Sequence, residues 1–264
     1  MLTGGRLDPR GGLAQRYGPA VALVAAAIGL WELLVRLLDV PGYLWPTPSA
    51  VARALGSDAG LLASATWVTA QEVLLGFAIA LAGGLAAAVA LHLSPTLRRA
   101  LYPLLIASQS IPTVVLAPVF ALVMGFNIGP KLAIVALFCF FPIAVNGVDG
   151  LGAVDREYVR MMLTLDATRL GIFRRVEFPA ALPLVFSGTR IAATYAAIGA
   201  VFGEWSGSDA GLGYELLQAH GRLDTPRVFA AVSILTLMAI VLFVAVSLVE
   251  RLVIPWARAP RGPE

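Results

Sequence analysis

The chain has 264 residues, 59% of them hydrophobic and 13% charged, with a mean hydropathy of +0.84 and a formal charge of +3. That balance lies well outside the range of a soluble globular domain and marks an integral membrane protein. A single cysteine, Cys139, excludes a disulfide framework and a thiolate metal cluster, and two distant histidines, His92 and His220, give neither a catalytic dyad nor a histidine-built metal site.

Residues 1–17 are glycine-rich and carry Arg6, Arg10 and Arg16. They precede an apolar run over 20–38, long enough to span a bilayer of about 30 Å. A cleaved signal peptide is the competing reading, but the run continues through Trp31, Glu32 and Arg36 without a small-residue cleavage site. Glu32 and Arg36 are four apart on one helical face and are expected to pair near the outer interface. The stretch 41–55, PGYLWPTPSAVARAL, uses Pro41, Pro46 and Pro48 to forbid a continuing helix. It then offers Thr47 or Ser49 as the cap of a short amphipathic helix on the outer surface, with Tyr43 and Trp45 suited to the interface. A second span is predicted over 73–93, where Gly76, Gly83 and Gly84 permit close helix packing in lipid.

After Arg98 and Arg99, the run 101–126 is interrupted by Pro103, Pro112 and Pro118 and carries the polar group Ser108, Gln109, Ser110. Broken helices with polar residues at membrane depth are tolerated only where protein or a water-filled cavity satisfies the freed backbone groups. Ser108, Gln109, Ser110 and Pro112 are therefore the internal candidates for a translocation path, with Tyr195 on the fifth span as a facing group. A kinked packing helix, with Gln109 bonded to a neighbouring carbonyl, is the alternative. Lys131, the sole lysine, opens a fourth span that ends near Pro142, Asn146 and Asp149.

The stretch 150–183 is the one long charged segment between apolar runs. Arg156, Arg160, Arg169, Arg174 and Arg175 are interleaved with Asp155, Glu157, Asp166 and Glu177, so it faces water rather than hydrocarbon. Leu163, Ala167, Leu170, Phe173 and Val176 recur at helical spacing, and Pro179 and Pro183 are expected to stop that helix. Its apolar stripe needs a surface: the membrane face, the chain's own spans or a soluble partner. A fifth span over 184–205 follows, with Gly188, Gly199 and Gly203 for packing, Arg190 near its inner end and Glu204 at its far end, where a carboxylate reaches water cheaply. A polar segment containing GLGYELL leads to a last apolar run over 228–252 and a tail with Arg251, Arg258 and Arg261.

Six spans with both termini on one side put thirteen of the arginines on one face. Only Arg53, Lys131, Arg222 and Arg227 lie on the other. The positive-inside rule then places the termini and the stretch 150–183 in the cytoplasm. The organisation expected is an N-terminal tail (1–17), a membrane domain (18–256) and a C-terminal tail (257–264). No internal repeat is visible, which weighs against an inverted-repeat carrier. No Gly-x-x-x-x-Gly-Lys phosphate loop occurs, so energy comes from a partner or a gradient. An intramembrane enzyme is the weakest alternative, because no histidine, cysteine or paired-carboxylate constellation supports one.

The run 164–183, TLDATRLGIFRRVEFPAALP, resembles the cytoplasmic coupling loop of ATP-binding cassette importer permeases, whose signature is Glu-Ala-Ala, a glycine four residues on, then Ile-x-Leu-Pro. Aligned on 176–179, the family's glycine falls on Asp166 and its Glu-Ala-Ala on Arg160, Met161 and Met162. Most of the chain from Trp31 to Trp256 is similar to the permeases for nitrate, sulfonate, taurine and thiamine-precursor uptake. The matches are LWPTPSAV (44–51), ASQSIPTVVLAP (107–118), CFFPIAVNGVDGL (139–151) and GTRIAATYAAIGAVFGEW (188–205). The last three are nearer the hydroxymethylpyrimidine branch than the sulfonate branch.

The resemblance implies an all-α permease of six transmembrane helices with a cytoplasmic coupling helix, in a bacterial inner membrane. It implies as partners a pair of cytoplasmic ATPases, a second permease copy and an extracytoplasmic substrate-binding protein. ATP and magnesium are expected on the ATPase, no cofactor on this chain, and no catalytic or metal-binding residues. Thr164, Leu165, Asp166, Ala167, Thr168, Arg169 and Phe173 are the expected coupling residues. Glu204, Gly211 and Gly213 are expected to form an outer gate or the dock for the binding protein, an ion pair of Glu204 with Arg222 or Arg227 being the alternative.

Overall fold

Hydrocarbon offers backbone N–H and C=O groups no partner, so an apolar chain satisfies them within helices. All regular elements among the described residues are accordingly helical. The computed structural model describes residues 13–258; the remainder of both expected tails, with Arg6, Arg10 and Arg261, lies outside them, as do the side chains of 13–17, Arg156, Ala257 and Arg258.

In chain order the helices are α1 (Leu13–Leu37), α2 (Pro48–Ser57), α3 (Ala59–Leu93), α4 (Pro95–Ser108), α5 (Thr113–Met124), α6 (Ile128–Gly152), α7 (Arg156–Thr164), α8 (Arg169–Ile172), α9 (Phe178–Trp205), α10 (Leu212–Gly221) and α11 (Thr225–Val253). Among the described residues five stretches are long and apolar enough to cross a membrane, and a sixth crossing results if α4 and α5, bent by 99° at their break, are taken as one span. That pair is the predicted broken third span. The second span is longer than expected, because α3 begins at Ala59 rather than near Val73.

The chain divides into two compact units. Of the described residues, the first holds 13–59 and 219–230. Within it Thr47 caps α2, accepting a 3.2 Å bond from the Ala50 N–H. The predicted Glu32–Arg36 pair is present, with Arg36 Nε donating to Glu32 Oε1 at 2.7 Å. Glu32 also accepts from the Ser49 N–H at 2.9 Å and the Ser49 hydroxyl at 2.8 Å, so it ties α1 to the start of α2. Trp31, Trp45 and Phe229 form a ring cluster, with centroids 5.6–6.5 Å apart.

Of the described residues, the second unit holds 60–218 and 231–258. Its main core cluster joins α3 (Val73, Phe77, Ala80), α6 (Val135, Cys139, Ile143) and α9 (Ala192, Ala193, Ala196), with Val246 of α11. Lipid tails are as apolar as leucine, so these helices associate by van der Waals fit, and small residues set how closely they approach. At Gly188 an added Cβ would stand 2.7 Å from Asn146 Cβ of α6, and at Gly84 it would stand 2.8 Å from Ile143 Cγ2. Gly76 meets Val135 in the same way, whereas Gly83, also expected at a contact, has only Phe140 Cδ2 at 3.9 Å. Cys139 is fully buried and its thiol donates to the Ala192 carbonyl at 3.3 Å, as a small core residue would. A second cluster, with Ala88, Leu91, Val148, Leu151, Ala181 and Val185, continues the packing toward the charged stretch.

The expected stop at Pro179 and Pro183 does not occur. The chain turns through one π-helical turn, Phe173–Glu177, directly into α9, and the Phe178 N–H bonds the Phe173 carbonyl five residues back. The wider turn shifts the bonding pattern just where Pro179, in the first turn of α9, brings no N–H and a bulky ring. The fifth apolar stretch therefore runs from Arg169 to Trp205, not from Leu184.

Candidate functional site

The single amphipathic helix expected from Leu163 to Val176 is two pieces. Asp155 caps α7 through a 2.9 Å bond from the Glu157 N–H, and α7 ends at Thr164. Beyond it the Asp166 N–H bonds Leu163 O at 3.2 Å and the Ala167 N–H bonds Met162 O at 3.1 Å, while Asp166 takes φ +56°. These are the paired bonds of a Schellman turn, with Asp166 at the left-handed position that glycine usually fills. Asp166 thus departs from the family's glycine in identity but keeps a conformation glycine would take. Thr168 then caps α8, accepting from the Gly171 N–H at 3.1 Å.

Of the expected coupling residues, Thr164, Leu165, Asp166, Thr168 and Arg169 are exposed and Ala167 is half-buried. Leu165 is 71% exposed and, with Tyr158, Met161 and Leu170, leaves an apolar surface beside the exposed Arg160 and Arg169. Phe173 faces the other way. It packs into the core cluster, its ring 6.2 Å from the His92 imidazole and 5.9 Å from Phe178. His92 is no free surface residue either, because its Nε2 lies 3.0 Å from Glu177 Oε2 and ties the end of α3 to the π-helical turn. Sequence gave no hint of that pair.

Ser108 ends α4, its hydroxyl bonded to Leu105 O at 2.8 Å, and Gln109, Ser110 and Pro112 form the exposed elbow before α5. The Gln109 side chain is exposed and makes no hydrogen bond among the described residues. Tyr195 is 43% exposed on α9, and no hydrogen bond joins it to the elbow.

Glu204 is not at water. It is 1% exposed, and its carboxylate accepts from the Thr69 hydroxyl (2.6 Å), the Gly213 N–H (2.6 Å) and the Tyr214 N–H (3.0 Å). Arg227, in the first unit, bonds Asp58 at 2.8 Å. The structure brings Glu204, Gly211 and Gly213 together. Gly211 has φ +115°, and a Cβ there would collide with the Glu204 carboxyl group. The N-terminus of α10 is thus folded onto a buried carboxylate, which also complements the partial positive charge of a helix start. Two partners went unforeseen: Thr69, which accepts from the Leu212 N–H at 2.8 Å, and Glu72, 1% exposed and 3.0 Å from Lys131 Nζ. The only signal for the second was a carboxylate in an apolar run and a lone lysine at the start of another.

A family model for the binding-protein-dependent transport system inner membrane component matches residues 79–259. The chain belongs to that family. It is the transmembrane permease subunit of an ATP-binding cassette importer, a multi-pass membrane protein and a transport subunit rather than an enzyme, in a family that works with an ATPase and a substrate-binding protein. The permease is 37% identical over 230 residues to the formylaminopyrimidine transport permease protein ThiX of Halalkalibacterium halodurans, covering 87% of this chain and 92% of that one. It is 37% identical over 259 residues to the riboflavin transport system permease protein RibX of Chloroflexus aurantiacus, covering 95% and 96%. Identity to the taurine transport permease TauC of Escherichia coli is 24% over 258 residues, covering 95% and 94%. In fold the permease is similar to a chain of the inward-facing MetNI methionine transporter, with a TM-score of 0.64 and 19% identity, over 75% of this chain and 98% of that one.

Proposed function

We propose that this permease carries a pyrimidine precursor of thiamine across the bacterial inner membrane, paired with a second copy of itself, with both termini and the 150–183 loop in the cytoplasm. The observation that carries the substrate is the 37% identity to a formylaminopyrimidine permease over 87% of the chain, against 24% for the taurine permease. Riboflavin is the second reading, favoured by equal identity over 95% of the chain to the riboflavin permease. Both are planar nitrogen heterocycles, and sulfonates are not. The arginine-rich face supports the orientation.

In this reading the α7–α8 loop seats in a groove of the ATPase. What supports it is that Tyr158, Met161, Leu165 and Leu170 are exposed within a charged, water-facing stretch, where exposed apolar side chains mark a docking surface. ATP and magnesium stay on the ATPase. ATP binding shifts the permease between inward and outward states only if the docked loops contact the ATPase more favourably in one of them. The elbow at Ser108, Gln109, Ser110 and Pro112, with Tyr195, is proposed to line the path, and the Glu204-anchored segment with Gly211 and Gly213 to form the outer gate or the dock for the binding protein.

Vesicles containing the permease and its ATPase, supplied with candidate binding proteins, decide the substrate. Labelled formylaminopyrimidine or hydroxymethylpyrimidine is expected to accumulate only with ATP, unaffected by excess taurine. Accumulation of riboflavin alone would favour the second reading, and accumulation without ATP would refute both. In the same vesicles, Gln109→Cys in a Cys139→Ala background is expected to react with a polar maleimide in one nucleotide state and to be protected in the other; inertness in both would remove the elbow from the path.

A further inference from the structure

Three buried or half-buried ionisable groups from three helices meet in the second unit: Glu72 of α3, Lys131 of α6 and Glu204 of α9. Lys131 Nζ lies 3.0 Å from Glu72 Oε1 and donates to the Ser208 hydroxyl at 2.6 Å. Thr69, one turn before Glu72 on the same face of α3, holds Glu204 Oε1. The two carboxyl groups are linked from both sides, through Thr69 beside Glu72 and through Lys131 and Ser208, whose N–H bonds the Glu204 carbonyl at 2.9 Å. Both side chains are 1% exposed, and Lys131 is 12% exposed.

The donors are unequally shared. Glu204 accepts three hydrogen bonds, one on Oε1 and two on Oε2, the environment of an ionised carboxylate. Glu72 has Lys131 on Oε1, but its Oε2 is one of two buried side-chain polar atoms without a partner among the described residues. If Glu72 were ionised, Oε2 would be a buried charged oxygen with no donor, and two buried carboxylates would stand in one cluster with a single ammonium. Buried polar atoms are rarely left so, and neighbouring buried carboxylates do not both ionise. One hydrogen removes both conflicts.

We propose that the permease holds a proton on Glu72 Oε2, donated to the Glu204 carboxylate, so that Lys131, neutral Glu72 and ionised Glu204 form a cluster of zero net charge. Glu72 is then a positioning residue. Its hydrogen bond and that of Thr69 fix Glu204, which in turn holds the Gly213 and Tyr214 N–H groups at the start of α10. Lys131 closes the arrangement through Ser208, whose hydroxyl bonds Ala210 O at 2.6 Å and shapes the turn between α9 and α10. The proton is a fixed structural ligand, and the inference is independent of which solute is carried.

The test is infrared spectroscopy of the full-length permease with its ATPase in lipid vesicles at neutral pH, with thermal unfolding followed in parallel. Expected is a protonated-carboxyl C=O band that is lost in Glu72→Gln and retained in a Glu32→Gln control. Glu72→Gln, whose amide can donate to Glu204 and accept from Lys131, is expected to keep the wild-type melting temperature, and Glu72→Ala to lower it. No such band in the wild type would overturn the proposal. So would a band that survives Glu72→Gln, equal melting losses for the glutamine and alanine variants, or a melting temperature raised by sodium, which would put a metal cation where the proton is proposed.

Discussion

Ala167→Pro is expected to abolish ATP-coupled uptake while leaving the permease inserted in the membrane. Proline has no N–H, so the 3.1 Å bond from Ala167 to Met162 O that closes α7 is lost. A bond of this kind is worth about 0.5–1.5 kcal/mol. The larger effect falls on the neighbour. A residue before proline is driven to extended conformations, whereas Asp166 sits at φ +56°. The left-handed turn cannot persist beside that proline, and the angle between α7 and α8 changes with it. A combined penalty of a few kcal/mol at a docking surface corresponds to a loss of about tenfold or more in assembly. Uptake and binding-protein-stimulated ATP hydrolysis should fall together. Asp166→Gly provides the contrast, because glycine adopts the turn without strain and should keep both activities. Wild-type uptake by Ala167→Pro would show that the shape of this loop does not matter to coupling.

Glu204→Ala should lower the stability of the whole permease rather than act only on the binding protein. The substitution leaves the Gly213 and Tyr214 N–H groups without their acceptor at a position that is 1% exposed, while the Thr69 hydroxyl keeps only its bond to the Ala65 carbonyl. Each orphaned buried donor costs about 1–3 kcal/mol, and together they are a large share of a membrane protein's margin. Less protein should be recovered, its melting temperature should drop, and basal and stimulated ATP hydrolysis should decline in parallel. A variant that kept its melting temperature and basal hydrolysis but lost stimulation by the loaded binding protein would place Glu204 in the dock itself.

The spans were legible because hydropathy over about 20 residues is a strong signal. The cap at Thr47 and the Glu32–Arg36 pair were legible because they are local. The extent of the fifth span was not. Pro179 and Pro183 read as breakers, and nothing in the residue order announces a π-helical turn that accommodates the first of them. The stretch 150–183 was visible as charged and amphipathic. Its division at 165–168 was hidden because Leu163, Ala167 and Leu170 hold helical spacing across the break, and because aspartate rather than glycine occupies the left-handed position.

The buried cluster was the least legible part. Glu204 was singled out as a charge at a span end, and the expectation that it reaches water followed from its place in the sequence. Its environment comes from residues up to 135 positions away, and pairings between separate helices leave no periodicity to read. His92 and Glu177, 85 positions apart, were missed for the same reason. Glu72 carried a signal that was available, a carboxylate inside a 35-residue apolar helix. Intramembrane charges of that kind seldom lack a partner.

Cross-linking tests the α7–α8 loop as the seat of the ATPase directly. Leu165→Cys in a Cys139→Ala background, labelled with a photoreactive benzophenone maleimide and irradiated in vesicles containing both subunits, should give a permease–ATPase adduct, by insertion into a C–H bond of the ATPase, whose yield changes between the nucleotide-free and ATP-bound states. The absence of an adduct in either state, with the same cysteine reacting fully with a soluble maleimide, would contradict it.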